Sequence, residues 1–537
     1  MSKHERLMVN GKPFFALGGQ VHNASGYAIK DLEQAIECVH LFGGNSIAIP
    51  VYWEQIEPEE GQFDCSIVGE IIDRCREEKL RVIFLWFGTW KNGTMKYVPA
   101  WVKRDTERFH RVLTPTGYKT SVLSSHCQAN FDADKAAFVR LMGYIKDKDE
   151  AEGTVVAVQV ENEPGIIGGT VRDFGPEGEA AMAEPVPGKL MDYLRGRTDS
   201  PVYQIWQAAG AAAAGDWETV FGDDGSEIMT AWSIAHYINA IAAAGKAVYD
   251  LPMYVNVWLD FAGWDVPGLS YPSGGAVTKV LDVWKCDTPD IDFIAPDDYK
   301  SDMETYSHIL DVYDRPDNVL HVPESQCYGP GPNVRGIFKA IADHNSMGHH
   351  VFGVECFLDN EGDIREDRIP ILKSLSMVSD ALPLIERYSG TGRITAITQN
   401  DFIACQYYEF GDWMCLVEFG KGDGKGWNQM DYLHLDDVNG PDDPGRGLVF
   451  QVADNEFYIV GDAIRLHFNR KCKGGHISPL LSTEFLQMRS VNYATLTEGA
   501  FDEAGNYCIN RYRSGDENDF GVWMSYDVGV VHVELTD

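Results

Sequence analysis

Eight short apolar runs, rich in β-branched and aromatic residues and separated by stretches with helical spacing, set the strongest limit on what this chain can fold into. They are FFALGGQ (14–20), NSIAIPVYW (45–53), RVIFLWFG (81–88), TVVAVQVEN (154–162), PMYVNVW (252–258), DFIAP (292–296), NVLHVPE (318–324) and HVFGVE (350–355). Runs that are apolar throughout, rather than alternating, belong to strands buried on both faces. Helical segments lie between them, among others at 29–42, 65–79, 132–147, 226–245, 335–345 and 366–381. Alternation of strand and helix requires a parallel sheet. Eight such units predict an α/β chain built on a (β/α)8 TIM barrel over residues 1–384.

The longest interruption, 166–225, follows the fourth run and contains RDFGPEGEAAMAEPVPG and QAAGAAAAG. An excursion there is either a lid over the barrel mouth or an inert surface insertion. After about residue 385 the pattern changes to short alternating strands between Gly, Asp and Asn turns. Leu448, Phe450 and Val452 alternate, and so do Ile464, Leu466 and Phe468. Residues 385–537 are therefore expected to form an all-β sandwich.

Charge narrows the partners. Eighty-one acidic residues against 45 basic give a formal charge of −36, which repels phosphate backbones and anionic lipid. No nucleic acid and no membrane partner is expected. The start, MSKHERLMVNGKPFF, has no apolar run of the signal-peptide kind, and no later stretch approaches the ~20 apolar residues of a membrane span. A cytoplasmic protein is expected. Eleven cysteines without a C-x-x-C pair read as reduced thiols rather than a disulfide framework or zinc site. Neither a metal nor an organic cofactor is implied, and a homo-oligomer is left open.

In a barrel of this type the reactive groups stand at the C-terminal ends of the strands and on the loops that follow. Those positions hold Gln20, His22 and Asn23; Trp53 and Glu54; Trp90, Lys91 and Asn92; Glu161, Asn162 and Glu163; Trp258 and Asp260; Asp297, Asp298 and Tyr299; Glu324; and Glu355. Carboxylates and aromatic rings dominate. Two carboxyl groups flanking a glycosidic bond can cleave it, one protonating the leaving oxygen and the other attacking the anomeric carbon or activating water. Aromatic faces give pyranose rings a platform. Strands four and seven can bring Glu163 and Glu324 to within roughly 5 to 5.5 Å, the retaining separation. The expected partner is a small oligosaccharide or glycoside.

The phrase QVENEPG resembles the strand-four signature of retaining glycosidases, and in particular that of glycoside hydrolase family 35. The resemblance extends to GGQVHN (18–23), PVYWEQIEPEEGQFD (50–64), WFGTWKNG (86–93), YVPAWV (97–102), LPMYVNVWL (251–259), YPSGG (271–275) and APDDY (295–299). It points to the bacterial branch that carries one compact β domain after the barrel. It implies that Glu163 is the acid/base, that Asn162 binds the sugar 2-hydroxyl, and that Glu324 in VPES is the nucleophile with Tyr299 beside it. Many β-galactosidases of the family read GSIHY and INAE where this chain has GQVHN and TWKNG. Asn23, Trp90, Lys91 and Asn92 thus replace the expected galactose contacts. Lys91 is either a sugar ligand or the salt-bridge partner of an acid. Trp258 joins the substrate-binding set, Glu355 either binds a hydroxyl or is structural, and Glu161 is expected on the packing side of its strand.

The expected activity is a retaining exo-β-glycosidase, foremost a β-galactosidase. A β-glucosidase or a transglycosylase with the same residues is the nearest alternative, and a non-catalytic carbohydrate-binding barrel the more distant one.

Overall fold

The computed structural model describes residues 6–260, 265–329, 331–400, 403–420, 443–471, 492–513 and 521–536. Eight parallel strands form one sheet: β1 (Ala16–Gln20), β2 (Ser46–Tyr52), β3 (Arg81–Lys91), β4 (Val155–Asn162), β5 (Met253–Trp258), β6 (Phe293–Asp298), β7 (Glu324–Ser325) and β8 (Gly348–Phe352). They bond in sequence order from β1 to β7, with β8 on the free side of β1. Val322 closes the barrel, donating its N–H to the Gly348 carbonyl at 3.2 Å and accepting from the His350 N–H at 2.9 Å. Each strand leads to a covering helix: α1 (Glu33–Leu41), α2 (Ser66–Glu77), α3 (Gln128–Asp149), α4 (Gly225–Val248), α5 (Leu281–Asp287), α6 (Met303–Tyr313), α7 (Asn333–Ala342) and α8 (Ile369–Asp380). The expected TIM barrel is present.

Two strands differ from their sequence-based bounds. In the seventh run, only Glu324 and Ser325 continue the ladder with β6. Pro323 has no N–H to donate and interrupts the pairing just before them. The eighth run starts earlier and stops at Phe352, because Gly353 turns left-handed at φ 67° and residues 354–357 form a 3-10 turn.

Alternation along the strands divides two cores. Ile83, Leu85 and Phe87 fill the barrel interior with Ala48, Tyr254 and Phe293. Val82, Phe84 and Trp86 face the helices. The insertion after β4 folds into four short helices, Pro176–Met182, Gly188–Arg195, Pro201–Ala208 and Trp217–Phe221. They bury Leu190, Met191, Leu194, Val220 and Phe221 in the outer core, and they pack alongside α4 and α5. The first residues of the insertion stay beside the loop after β3, where the Ile167 N–H donates to the Gly93 carbonyl at 3.0 Å. Among the described residues, no helix is long and apolar enough to cross a membrane.

Beyond residue 390 the described strands are antiparallel and form two sheets. The six-stranded sheet runs in the order β9 (Ile394–Thr398), β12 (Arg446–Ala453), β13 (Glu456–Asp462), β18 (Val530–Leu535), β15 (Tyr493–Phe501), β16 (Tyr507–Tyr512). The four-stranded sheet holds β10 (Cys405–Phe410), β11 (Trp413–Phe419), β14 (Ile464–Arg470) and β17 (Val522–Met524). Period-two alternation gives the larger sheet two apolar faces. Val449, Ile459 and Val531 meet Val417, Leu466 and Phe468 of the other sheet, whereas Leu448, Phe450, Val460 and Val530 join the barrel's outer core. Arg446, fully buried, fastens the seam. Its guanidinium donates to Ser374 Oγ at 2.8 Å and the Pro370 carbonyl at 2.8 Å on α8, and to Asp443 Oδ1 at 2.7 Å.

Candidate active site

The end of β4 builds the centre of the mouth. Glu161 and Glu163 both adopt left-handed backbone, at φ 66° and 44°, a conformation that non-glycine residues hold only where their surroundings enforce it. The enforcing contacts are on both sides of the strand. Glu161 turns outward and accepts the Trp90 N–H at 2.7 Å. There it lies beside Asp134 of α3, which accepts from Trp86 Nε1 at 2.9 Å and Thr89 Oγ1 at 2.6 Å. Burial first, and the neighbouring acid second, push the Glu161 carboxyl above the usual range. Glu161 is therefore on the packing side, as expected.

Asn162 and Glu163 face the mouth. Asn162 Oδ1 accepts from Lys91 Nζ at 2.7 Å. The Glu163 N–H donates to Asn256 Oδ1 at 2.8 Å, and the other end of that amide, Nδ2, donates to Asp297 Oδ2 at 2.7 Å. Asn92 Nδ2 donates to Glu163 Oε2. Across the barrel, Glu324 Oε1 accepts from Gln20 Nε2 at 2.7 Å and Oε2 from the Tyr299 hydroxyl at 2.8 Å. Carboxylate oxygens of Glu163, Asp297 and Glu324 all lie within 4.8 Å of one another, and all three residues are buried.

Three acids this close cannot all ionise at ordinary pKa values. Burial, followed by the charge of Glu324, raises Glu163 to about 7, against the opposing pull of Lys91 and Lys96. Asp297 is raised well above the carboxylate range by burial, then by Glu324 and Glu163. Glu324 is the acid supplied with two side-chain donors, Gln20 and Tyr299.

The structure brings together most of the residues expected from the sequence, namely Glu163, Glu324, Asn162, Tyr299, Lys91 and Asn92. Tyr299 keeps its ring 38% exposed at the mouth while its hydroxyl reaches Glu324. Trp258 is half-buried at the end of β5, paired in register with Asp297. Asn23 lies on the loop after β1. Its carbonyl accepts the Tyr52 hydroxyl at 2.8 Å, and its Oδ1 is buried with no partner among the described residues.

One expectation is corrected. Trp90 does not face the mouth; it is buried in the outer core with its ring edge-on to Tyr237 at 5.0 Å. The ladder between β3 and β4 explains the reversal. Trp86 pairs with Val160 and Lys91 with Asn162, so five steps on one strand match two on the other and the extra residues shift the alternation. Glu355, half-buried on the turn after β8, makes structural hydrogen bonds. Its Oε1 accepts the His22 N–H at 2.9 Å and Ser25 Oγ at 2.7 Å, which ties β8 to the loop after β1.

Three residues of the site went unassigned in the sequence. Gln20 and Asp297 stood in the inventory of strand ends without a role. Asn256 left one usable signal: it is the only residue of MYVNVW that is neither aliphatic nor aromatic, and a buried amide needs partners.

A family model described as Domain of unknown function (DUF5597) matches residues 371–525. No curated protein matches the chain. Similar solved structures include a β-galactosidase from Bacillus circulans sp. alkalophilus, at 14% identity over 70% of this chain and 57% of that one, TM-score 0.46. A GH42 β-galactosidase from G. stearothermophilus gives 14% identity over 72% and 58%, TM-score 0.48. An exo-β-1,4-mannosidase from Opitutaceae bacterium strain TAV5 gives 13% over 71% and 62%, TM-score 0.43. The chain spans less than three fifths of the length of the first two.

Proposed function

We propose that the protein is a retaining β-glycosidase that removes terminal β-galactosides by double displacement, with Glu324 as nucleophile and Glu163 as acid/base. The observation that carries the reading is the Glu163–Glu324 pair. Oxygens within 4.8 Å fit the roughly 5 to 5.5 Å of retaining enzymes and fall short of the roughly 6.5 to 9.5 Å that leaves room for water in inverting ones. The motif resemblance to glycoside hydrolase family 35 supports the same assignment.

In this reading, Glu324 attacks the anomeric carbon while Glu163 protonates the departing oxygen, and Glu163 then deprotonates the water that releases the sugar. Asn162, oriented by Lys91, has an Nδ2 with no partner among the described residues, and in this reading it donates to a sugar hydroxyl. Asn23, on the loop after β1, is a second candidate sugar contact through its unpartnered Oδ1.

Aryl β-galactoside and aryl β-glucoside assays of the wild type, Glu163→Gln and Glu324→Gln test the proposal. Glu324→Gln is expected to abolish turnover, and Glu163→Gln to lower kcat by about 10²- to 10⁴-fold on phenyl glycosides. A 2-fluoro glycoside is expected to label Glu324. Full activity of Glu324→Gln, or labelling of another acid, refutes the mechanism. A preference for the glucoside replaces the sugar, transfer to an added acceptor in place of water makes the protein a transglycosylase, and inertness of the wild type favours a binding role.

A further inference from the structure

The third acid of the site has no part in the two-carboxylate scheme, yet the fold positions it with care. Asp297 is buried, 3% exposed. Asn256 fixes its orientation: the amide must turn Oδ1 to the Glu163 N–H, which leaves Nδ2 to donate to Asp297 Oδ2. The other oxygen, Oδ1, is buried and receives no hydrogen bond from any of the described residues. A carboxylate oxygen with no donor, held among two further carboxyls, is the costliest state the site can contain. A proton on Asp297 removes that cost and turns an acid–acid repulsion into a hydrogen bond.

We propose, on the glycosidase reading above, that Asp297 remains protonated through the cycle and donates its O–H to Glu163, stabilising the carboxylate that Glu163 becomes when it gives up its proton. In the glycosylation step the Glu163 proton moves to the glycosidic oxygen, the bond from that oxygen to the anomeric carbon breaks, and Glu324 forms the new bond to that carbon. Asp297 keeps its own proton, and its hydrogen bond strengthens as charge develops on Glu163. A neutral acid in a low-dielectric pocket then acts as a preorganised donor. Asp297 is a positioning residue, acting through Glu163.

The groups facing the pair set its titration. Glu324 on β7 opposes ionisation, Lys91 on β3 and Lys96 beyond it favour it, and the Tyr254, Tyr299 and Tyr313 hydroxyls approach Asp297 from β5, β6 and α6. Since Lys91 and Glu324 are the same in any Asp297 variant, a change in the profile reports on Asp297.

The test compares wild type, Asp297→Ala and Asp297→Asn on a dinitrophenyl glycoside, which leaves without acid help, and on a phenyl glycoside, which needs it. Asp297→Ala is expected to lower kcat on the phenyl substrate by about tenfold or more with less than about threefold change on the dinitrophenyl one. Its alkaline limb in kcat/KM is expected to move up by about one pH unit. Asp297→Asn, whose amide N–H can replace the O–H, is expected to return the limb toward the wild-type position. A limb unmoved in Asp297→Ala overturns the proposal. A limb moved down in Asp297→Asn also overturns it, because Asp297 would then be a charge that raises Glu163. Infrared difference spectra of wild type minus Asp297→Asn at pH 7 read the protonation directly. A carboxylic-acid carbonyl band supports the proposal and a carboxylate band refutes it, whether or not the wild type turns over any glycoside.

Discussion

Replacing His321 with phenylalanine should change how stability depends on pH, and the size of the change follows from where the ring lies. His321 is fully buried, edge-on to Tyr254 at 5.5 Å, Phe293 at 5.9 Å and His350 at 5.6 Å. Burial pushes its pKa down to about 4, against about 6.5 in an unfolded chain. The unfolded state therefore binds the proton more readily, so this residue's contribution is intact above pH 6.5 and is lost as pH falls toward 4. Between pH 7 and pH 5 the unfolded chain gains about 2 kcal/mol from protonating this one imidazole, while the folded ring stays neutral.

Other groups titrate in the same interval in both directions. The raised acids, such as Glu163, gain protons in the folded state and oppose the loss. The comparison must therefore be the difference between variant and wild type. Urea unfolding at pH 7, 6 and 5 is expected to show His321→Phe gaining about 2 kcal/mol on wild type across the interval, most of it between pH 6 and 5. Its starting offset at pH 7 is immaterial. Parallel stability curves would refute the argument, because they would mean that the histidine is protonated, or solvated, inside the barrel.

Lys91→Met leaves Asn162 Oδ1 without its donor and is expected to lower kcat/KM about 10- to 100-fold, the worth of a hydrogen bond to a charged group. Steady-state kinetics check it, and less than a twofold change would contradict the placing of Asn162. Gly88→Ala puts a Cβ 2.3 Å from Trp86 Nε1 and 2.7 Å from Glu161 Oε1. A melt is expected to show destabilisation of about 2 kcal/mol or more, because none of these packed groups can retreat. Arg446→Met removes a buried cation from Asp443 and from two acceptors on α8 and should cost about 3 kcal/mol by urea unfolding. The pH profile of turnover should be unaltered in this variant, since Arg446 lies at the seam and not at the mouth.

The barrel was legible because its strands are apolar on both faces, and each run ends where the chain must meet water. Position at the ends of strands four and seven singled out Glu163 and Glu324 as a pair, and the family resemblance supplied their separate roles. What was not legible was the direction of side chains wherever the ladder slips. At the end of β3 the register with β4 changes between Trp86 and Lys91, so strict alternation puts Trp90 in the mouth and the structure puts it in the outer core. The setting of Glu355 was hidden for a similar reason: Gly353 ends the strand, and the acid sits on a turn bonded to His22. Asp297 and Asn256 were hidden differently. Neither residue type marks a site by itself, and their meaning depends on a contact between neighbouring strands far apart in sequence.

The larger sheet of the C-terminal part has apolar side chains on both faces, with Leu448, Phe450, Val460 and Val530 given to the barrel side. Such a sheet cannot be shed without leaving a greasy scar on the barrel, nor can it float free without one of its own. Barrel and sandwich should therefore melt as one cooperative unit. Damage at the seam would then be felt at the mouth as lost protein rather than as altered chemistry.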